Sequence, residues 1–146
     1  MSEIRRRQIP GLLLRMVPET RVLLEAAASA PAGQAVVGEM EWFDLYEFLS
    51  DVFFRRVLRP ALTEEEPNED LLRRSFDFTE TLLRSSNESV SGAAYFQVVE
   101  PLFGSEELLV AAIPLMREET LRLTLSELDP GRLSSASRDA LANFLD

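Results

Sequence analysis

Carboxylates account for most of the side-chain chemistry that this chain could perform. Its 146 residues include 25 aspartates and glutamates but no histidine, no cysteine and no lysine. All fifteen basic residues are arginines, which stay protonated and therefore make poor general bases or Schiff-base nucleophiles. Within this chain, the missing residue types exclude Ser-His triads, Cys-His nucleophiles, lysine imines and zinc sites built on His or Cys.

The acidic composition leaves one enzyme hypothesis, a carboxylate-based metal-dependent hydrolase. Di-iron helical bundles use Glu-x-x-His motifs, which a chain without histidine cannot supply. Calcium loops need a D-x-D-x-D-G spacing that does not occur, and the consecutive acids Glu64, Glu65 and Glu66 point in different directions. No pair of acids is singled out for glycosidase-type hydrolysis. We therefore expect no catalytic residue, no cofactor and no metal site, and keep the hydrolase as an alternative.

A predicted helix over about 37–59 places four acids opposite its apolar arc. At 100° per residue, the apolar arc comprises Trp42, Leu45, Tyr46, Leu49, Val52, Phe53 and Val57. Phe43 and Phe54 lie near the edge of this arc, where we expect partial exposure. The opposite arc comprises Glu41, Asp44, Glu47 and Asp51, and continues with Arg55.

These four acids are either a solvated face or a binding stripe for an arginine- or lysine-rich partner. Glu47 and Asp51 are like charges four residues apart, which costs about 0.2–0.5 kcal/mol in a helix. Since an ordinary surface would avoid that repulsion, we predict that Glu41, Asp44, Glu47 and Asp51 contact a partner.

The charge distribution favours a basic protein as that partner. Residues 1–21 have a net charge of +3 and the remainder −13, giving −10 for the chain. Negative charge opposes binding to nucleic-acid phosphates, although solubility alone could also explain it. No run approaches the roughly 20 apolar residues that a membrane span needs. Because the absence of cysteine suits a reducing compartment, we predict a cytoplasmic protein that binds neither nucleic acid nor membrane.

Helical periodicity runs through most of the chain, with few strand signals. We expect Pro60 to end the 37–59 helix and Pro101 with Gly104 to end another. Ser85 with Glu88, and Ser105, have the pattern of helix N-caps. The predicted fold is all-α: one compact domain over 1–146, with six to eight helices and short loops. The helices are expected at about 3–16, 18–29, 37–59, 68–84, 87–100, 105–114, 115–128 and 135–145.

Four stretches of the sequence resemble a family of small all-helical bacterial proteins. They are Met16 to Arg21 with Leu24 and Glu25, the helix start from Gly38 to Leu49, Tyr95 to Glu100, and Ile113 to Leu128. Members of that family are similar to immunity proteins encoded beside secreted toxins. The resemblance implies a protein that binds and neutralises a toxin, and it implies no catalytic residues.

The leading hypothesis is therefore a non-enzymatic protein-binding module, an immunity protein that neutralises a basic toxin domain. An alternative is a homodimeric regulatory or scaffold protein, in which the terminal helix at about 135–145 is exchanged between copies or docked. That helix belongs to the terminal segment 130–146, which could dock loosely on the body or fray.

Overall fold

The computed structural model describes residues 3–28 and 44–145, with only the backbone of residues 27 and 28. Every regular element in these ranges is helical, and they contain eight helices joined by short loops, which confirms the predicted all-α fold. No helix in the described ranges has the length and apolar character needed to cross a membrane. The helices are α1 (Ile9–Met16), α2 (Arg21–Ala28), α3 (Leu45 to Thr63), α4 (Glu69–Leu83), α5 (Glu88 to Gly104), α6 (Glu106–Ala112), α7 (Glu118–Glu127) and α8 (Ser135–Ala140).

Helices α3 and α5 both change their helical type along their length. In α3, an α-helical turn (Leu45–Glu47) leads into a π-helix (Phe48–Leu58) and then into an α-helix (Arg59–Thr63). In α5, an α-helix (Glu88–Ala94) leads into a π-helix (Tyr95–Val99) and a 3₁₀-helix (Glu100–Gly104). Further 3₁₀ turns are Arg6–Gln8, Pro18–Thr20, Ile113–Leu115, Pro130–Arg132 and Ala142–Phe144.

Prolines begin helical segments in this fold instead of ending helices. Six of them occupy the first or second position of a helical segment: Pro10, Pro18, Pro60, Pro101, Pro114 and Pro130. The prediction that Pro60 ends its helix was wrong, because the chain stays helical to Thr63. For the end predicted at Pro101 with Gly104, the helix continues through Pro101 and ends at Gly104. Pro60 and Pro101 each come two residues after the end of a π-helix.

The π-helix of α3 changes which of its side chains are buried. Its turn holds more residues than an α-turn, so each residue rotates by less than 100°. Buried residues accordingly recur as adjacent pairs: Phe48 and Leu49, Phe53 and Phe54, Val57 and Leu58, then Ala61 and Leu62.

Two predictions made at 100° per residue were wrong, one of them within the π-helix. Phe54, expected at the edge of the arc, is buried, whereas Tyr46, expected in the core, is 46% exposed. Leu45, Leu49, Phe53 and Val57 are core residues as predicted, and Val52 is partly buried. Trp42 and Phe43 lie outside the described residues.

Helix α4 runs through the centre of the core. It packs against α1, α5, α7 and the end of α3. Ser75, Phe78 and Leu82 are buried along one face of this helix, with Leu71 only partly buried at its start. The ring of Phe78 meets that of Phe53 from α3 edge to face, with centroids 4.9 Å apart. The core of the described residues is therefore built around this helix.

A buried carboxylate of α4 caps α7. The N-cap residue of α7, Arg117, supplies no side-chain cap. Instead, Glu80 Oε2 accepts the Glu119 N–H at 2.9 Å, and Oε1 accepts the Thr120 N–H at 2.9 Å and its hydroxyl at 2.7 Å. The Arg84 Nε donates to Oε2 at 2.6 Å and balances the charge. Glu80 thus satisfies amides that every helix start leaves without a partner.

The environment of Glu80 fixes its ionisation. Burial alone would raise its pKa, but the hydrogen bonds from the Glu119 and Thr120 amides, Arg84 and the Thr120 hydroxyl outweigh burial and hold the pKa below 4.5. The carboxylate is therefore charged at neutral pH although its side chain is only 10% exposed.

The amino-terminal segment is attached to α4 and to the turn before α5. Arg74 of α4 donates two parallel hydrogen bonds to Glu19, at 2.7 and 2.6 Å. These bonds lower the pKa of Glu19 to about 2. Ser85 was predicted to cap α5, but Asn87 is the N-cap and accepts the Ser89 N–H. The Ser85 hydroxyl oxygen instead accepts the Ile4 N–H at 3.3 Å.

The predicted cap at Ser105 is present, and the carboxy-terminal segment packs on its own chain. The Ser105 hydroxyl oxygen accepts the Leu108 N–H. Helix α8 lies against α6. Leu133, which precedes α8 in the sequence, and Leu141, which follows it, are both buried. The Ser134 N–H donates to Glu106 Oε1 at 2.6 Å. The segment is therefore docked in this structure, and α8 itself spans only Ser135–Ala140.

Ser75→Ala should stabilise the protein by about 0.5–1.5 kcal/mol. The fully buried Ser75 hydroxyl has no hydrogen-bond partner among the described residues, and alanine is the better helix former. Thr79→Val is the matched control on the same helix. It removes a hydroxyl that donates to the Ser75 carbonyl at 3.0 Å, and should cost about 1 kcal/mol. Urea denaturation measures both changes, and a destabilised Ser75→Ala variant would contradict the account of Ser75.

Glu80→Gln should destabilise the protein by about 2–4 kcal/mol, because the amide NH₂ would face two other donors. The control Glu118→Gln alters an exposed carboxylate 3.2 Å from the same Arg84 and should change stability by under about 0.5 kcal/mol. The lowered pKa of Glu80 means that its stabilisation is present above the unfolded-state pKa and lost as pH falls. Denaturation at several pH values should therefore show the difference between wild type and Glu80→Gln narrowing below about pH 4.5. A constant difference would be inconsistent with this role.

Candidate protein-binding surface

Three of the four acids predicted to contact a partner lie on the first half of α3. Asp44 is the N-cap, and its Oδ1 accepts the Glu47 N–H at 3.1 Å. Asp51 forms an ion pair with Arg55 at 3.1 Å. Glu47 is exposed. Glu41 lies outside the described residues. The fold itself therefore uses Asp44 and Asp51, and partner binding at the four positions stays a prediction.

The exposed side of α3 carries both signs of charge. Asp44, Glu47 and Asp51 near its start are followed by three exposed arginines: Arg55, Arg56 and Arg59. Acids near the start of a helix and bases near its end both interact favourably with the helix dipole. The helix dipole therefore accounts for this distribution of charge without a partner. Helix α3 alone presents no uniformly negative face over its described length.

A second surface, on α5, is acidic and aromatic. Between Arg84 and Arg117 the sequence contains no basic residue. Phe96 lies in this stretch and is 49% exposed, a high value for a large apolar side chain. Its ring meets that of Tyr95 nearly perpendicularly, with centroids 5.2 Å apart. The edge-to-face contact holds the two rings in a defined arrangement.

Two carboxylates from different elements act electrostatically on the Tyr95 phenol. Burial raises the pKa of the Tyr95 phenol, and the negative charges of Glu127 and Glu100 raise it further. Glu127 is the last residue of α7, and Glu100 follows the π-helix of α5. Neither acid forms an ion pair within residues 3–28 and 44–145. Tyr95, Phe96, Glu100 and Glu127 are called the aromatic–acidic patch below.

The π-helix of α5 explains why Phe96 points outward. The α-helical segment before it buries Ala93 with Ala94, and the π-helix buries Val98 with Val99, five positions further on. An α-helical spacing of four from Ala93 would instead have turned Gln97 toward the core. The wider spacing places the valine pair in the core and leaves Phe96 on the outside.

The aromatic–acidic patch offers apolar contact and negative charge to a binding partner. Among the residues that the structure describes, no three acidic side chains come together as metal ligands. An aromatic ring beside unpaired carboxylates can bind a cationic side chain through its π-face and through ionic hydrogen bonds. Reasoning from the sequence missed Phe96, although the absence of basic residues between Arg84 and Arg117 was a visible signal.

Comparisons with known proteins add no functional residues to this surface. No family model matches the chain, and neither a curated protein nor a solved structure matches it.

The titration of Tyr95 tests the geometry of the aromatic–acidic patch. The chain has two tyrosines, so Tyr95 is the only one in a Tyr46→Phe background. In that background we expect a phenol pKa above 10, and a lower value after Glu127→Gln because one negative charge is gone. Absorbance of the phenolate against pH measures both. Glu88→Gln is the control and should leave the midpoint unchanged; an equal effect of the two substitutions would show that Glu127 does not adjoin Tyr95.

Proposed function

We propose that this chain is a non-enzymatic protein-binding module that neutralises a basic toxin domain, as an immunity protein does. The observation that supports the proposal is the aromatic–acidic patch. In it a half-exposed phenylalanine packs on Tyr95, and the two carboxylates that act on the Tyr95 phenol have no arginine partners among the described residues. Aromatic anchors with complementary charge around them are typical of the residues that dominate binding energy in protein complexes.

Net charge supports the same kind of partner. At −10, the chain attracts basic proteins over several ångströms and accelerates their encounter at low salt. The aromatic ring then supplies short-range contact, which mainly slows dissociation. A surface of this composition suits a basic protein domain better than a nucleic acid, whose phosphates it would repel.

The assignment of a toxin as the partner depends on the sequence resemblance to immunity-like proteins. The structural support is for binding to a basic protein and does not extend to the partner being a toxin. In the homodimeric alternative, the terminal helix would make in a second copy the contacts that bury Leu133 and Leu141 here. The net charge of −10 is what favours a basic partner of different sequence.

A growth-rescue assay tests the proposed function. The genes flanking that of this chain are searched for a basic domain, and the absence of one would itself contradict the proposal. The domain found is placed under an inducible promoter, and this chain is co-expressed from a second plasmid. Because binding would block the toxic surface, we expect induction of the domain alone to stop growth and co-expression to restore it. The control is an unrelated helical protein of equal net charge, which should not restore growth. Failure of this chain to rescue, or equal rescue by the control, would contradict the proposal.

A further inference from the structure

We infer that the aromatic–acidic patch binds an arginine side chain of the partner protein, with the guanidinium against Phe96 and its N–H groups directed at Glu100 and Glu127. This inference rests on the proposed function and assigns that function to a specific surface and a specific partner chemistry.

The shape of the patch suits a flat cation. A perpendicular pair of rings leaves at least one face of Phe96 uncovered by Tyr95, and about half of Phe96 is open to solvent. A guanidinium is planar, weakly hydrated and stacks on aromatic faces, whereas an ammonium is a compact and strongly hydrated charge. The exposed ring therefore favours arginine over lysine.

The charge of the patch is complementary to that cation. Glu100 and Glu127 are acceptors on two different elements, and both are close enough to Tyr95 to affect its ionisation. An arginine has five N–H donors in a fixed fork and can bond one carboxylate while its plane rests on a ring. No arginine among the described residues pairs with either acid, although this chain pairs many of its other acids with arginine.

A second copy of this chain is the competing occupant. The chain has exposed arginines on α1 and α2, Arg15 and Arg21, beside Val22, which is 73% exposed. Two copies with ten net negative charges each repel one another, so the observations favour a basic partner of different sequence. Sedimentation at several concentrations tests this occupant, and self-association that Phe96→Ala abolishes would overturn the inference.

The test uses two capped peptides, Gly-Arg-Gly-Arg-Gly and Gly-Lys-Gly-Lys-Gly, titrated into the full chain and followed by aromatic NMR resonances. We expect saturable shifts at Tyr95 and Phe96, with the arginine peptide binding several-fold more tightly. Phe96→Leu, which keeps apolar area but removes the ring, should weaken arginine binding about three- to tenfold. Glu127→Gln should weaken it as well. Val22→Ala and Glu66→Gln alter an exposed apolar and an exposed acidic residue elsewhere and should leave binding unchanged.

The outcomes separate this inference from the proposed function. Equal affinities for the two peptides, or no effect of Phe96→Leu, overturn the arginine site even if the chain rescues growth. Arginine-selective binding that Phe96→Leu weakens supports the site even if growth rescue fails, in which case only the toxin assignment is wrong. Near-ultraviolet circular dichroism of each variant confirms that it is folded before its affinity is compared.

Discussion

The capping of α7 by Glu80 is the interaction on which the arrangement of this protein depends most. Helix α7 begins without a capping side chain of its own, and a carboxylate from α4 satisfies its amides while Arg84 balances the charge. The same helix α4 binds the amino-terminal segment through Arg74 and Glu19. Because α7 ends at Glu127, beside Tyr95, the position of α7 also determines the charge on the proposed binding surface.

The absence of histidine, cysteine and lysine limits how the charge of a binding surface on this chain can respond to pH. No side chain in this chain has an ordinary pKa between about 5 and 9, since carboxylates titrate below this range and tyrosine and arginine above it. Around neutral pH, ionic strength is therefore the variable that controls the electrostatic attraction between this chain and a partner.

Helix spans and caps that depend on residues close together in the sequence could be predicted from it. Ser105 is an N-cap, and the helices of the described ranges lie close to the predicted spans. In the π-helix, 100° per residue misplaced Phe54, and the prediction also misplaced Tyr46 in the α-helical turn before it. The adjacent apolar pairs of α3, spaced by four and five residues, were the signal that this period did not fit. Glu80 had no comparable signal, since it caps amides about forty positions away and looks like any helical glutamate.

The two π-helices connect the irregular part of the fold with the surface that we propose for binding. They pack against one another, Phe48–Leu58 of α3 against Tyr95–Val99 of α5. Each buries two adjacent apolar residues per turn, so that both helices present a broad face to the core. A single-residue shift back to α-helical spacing in α5 would exchange Gln97 with Val98 at the core. Exposure of Phe96 is therefore a consequence of how α5 packs on α3, and π-helical turns are frequently found at functional sites for this kind of reason.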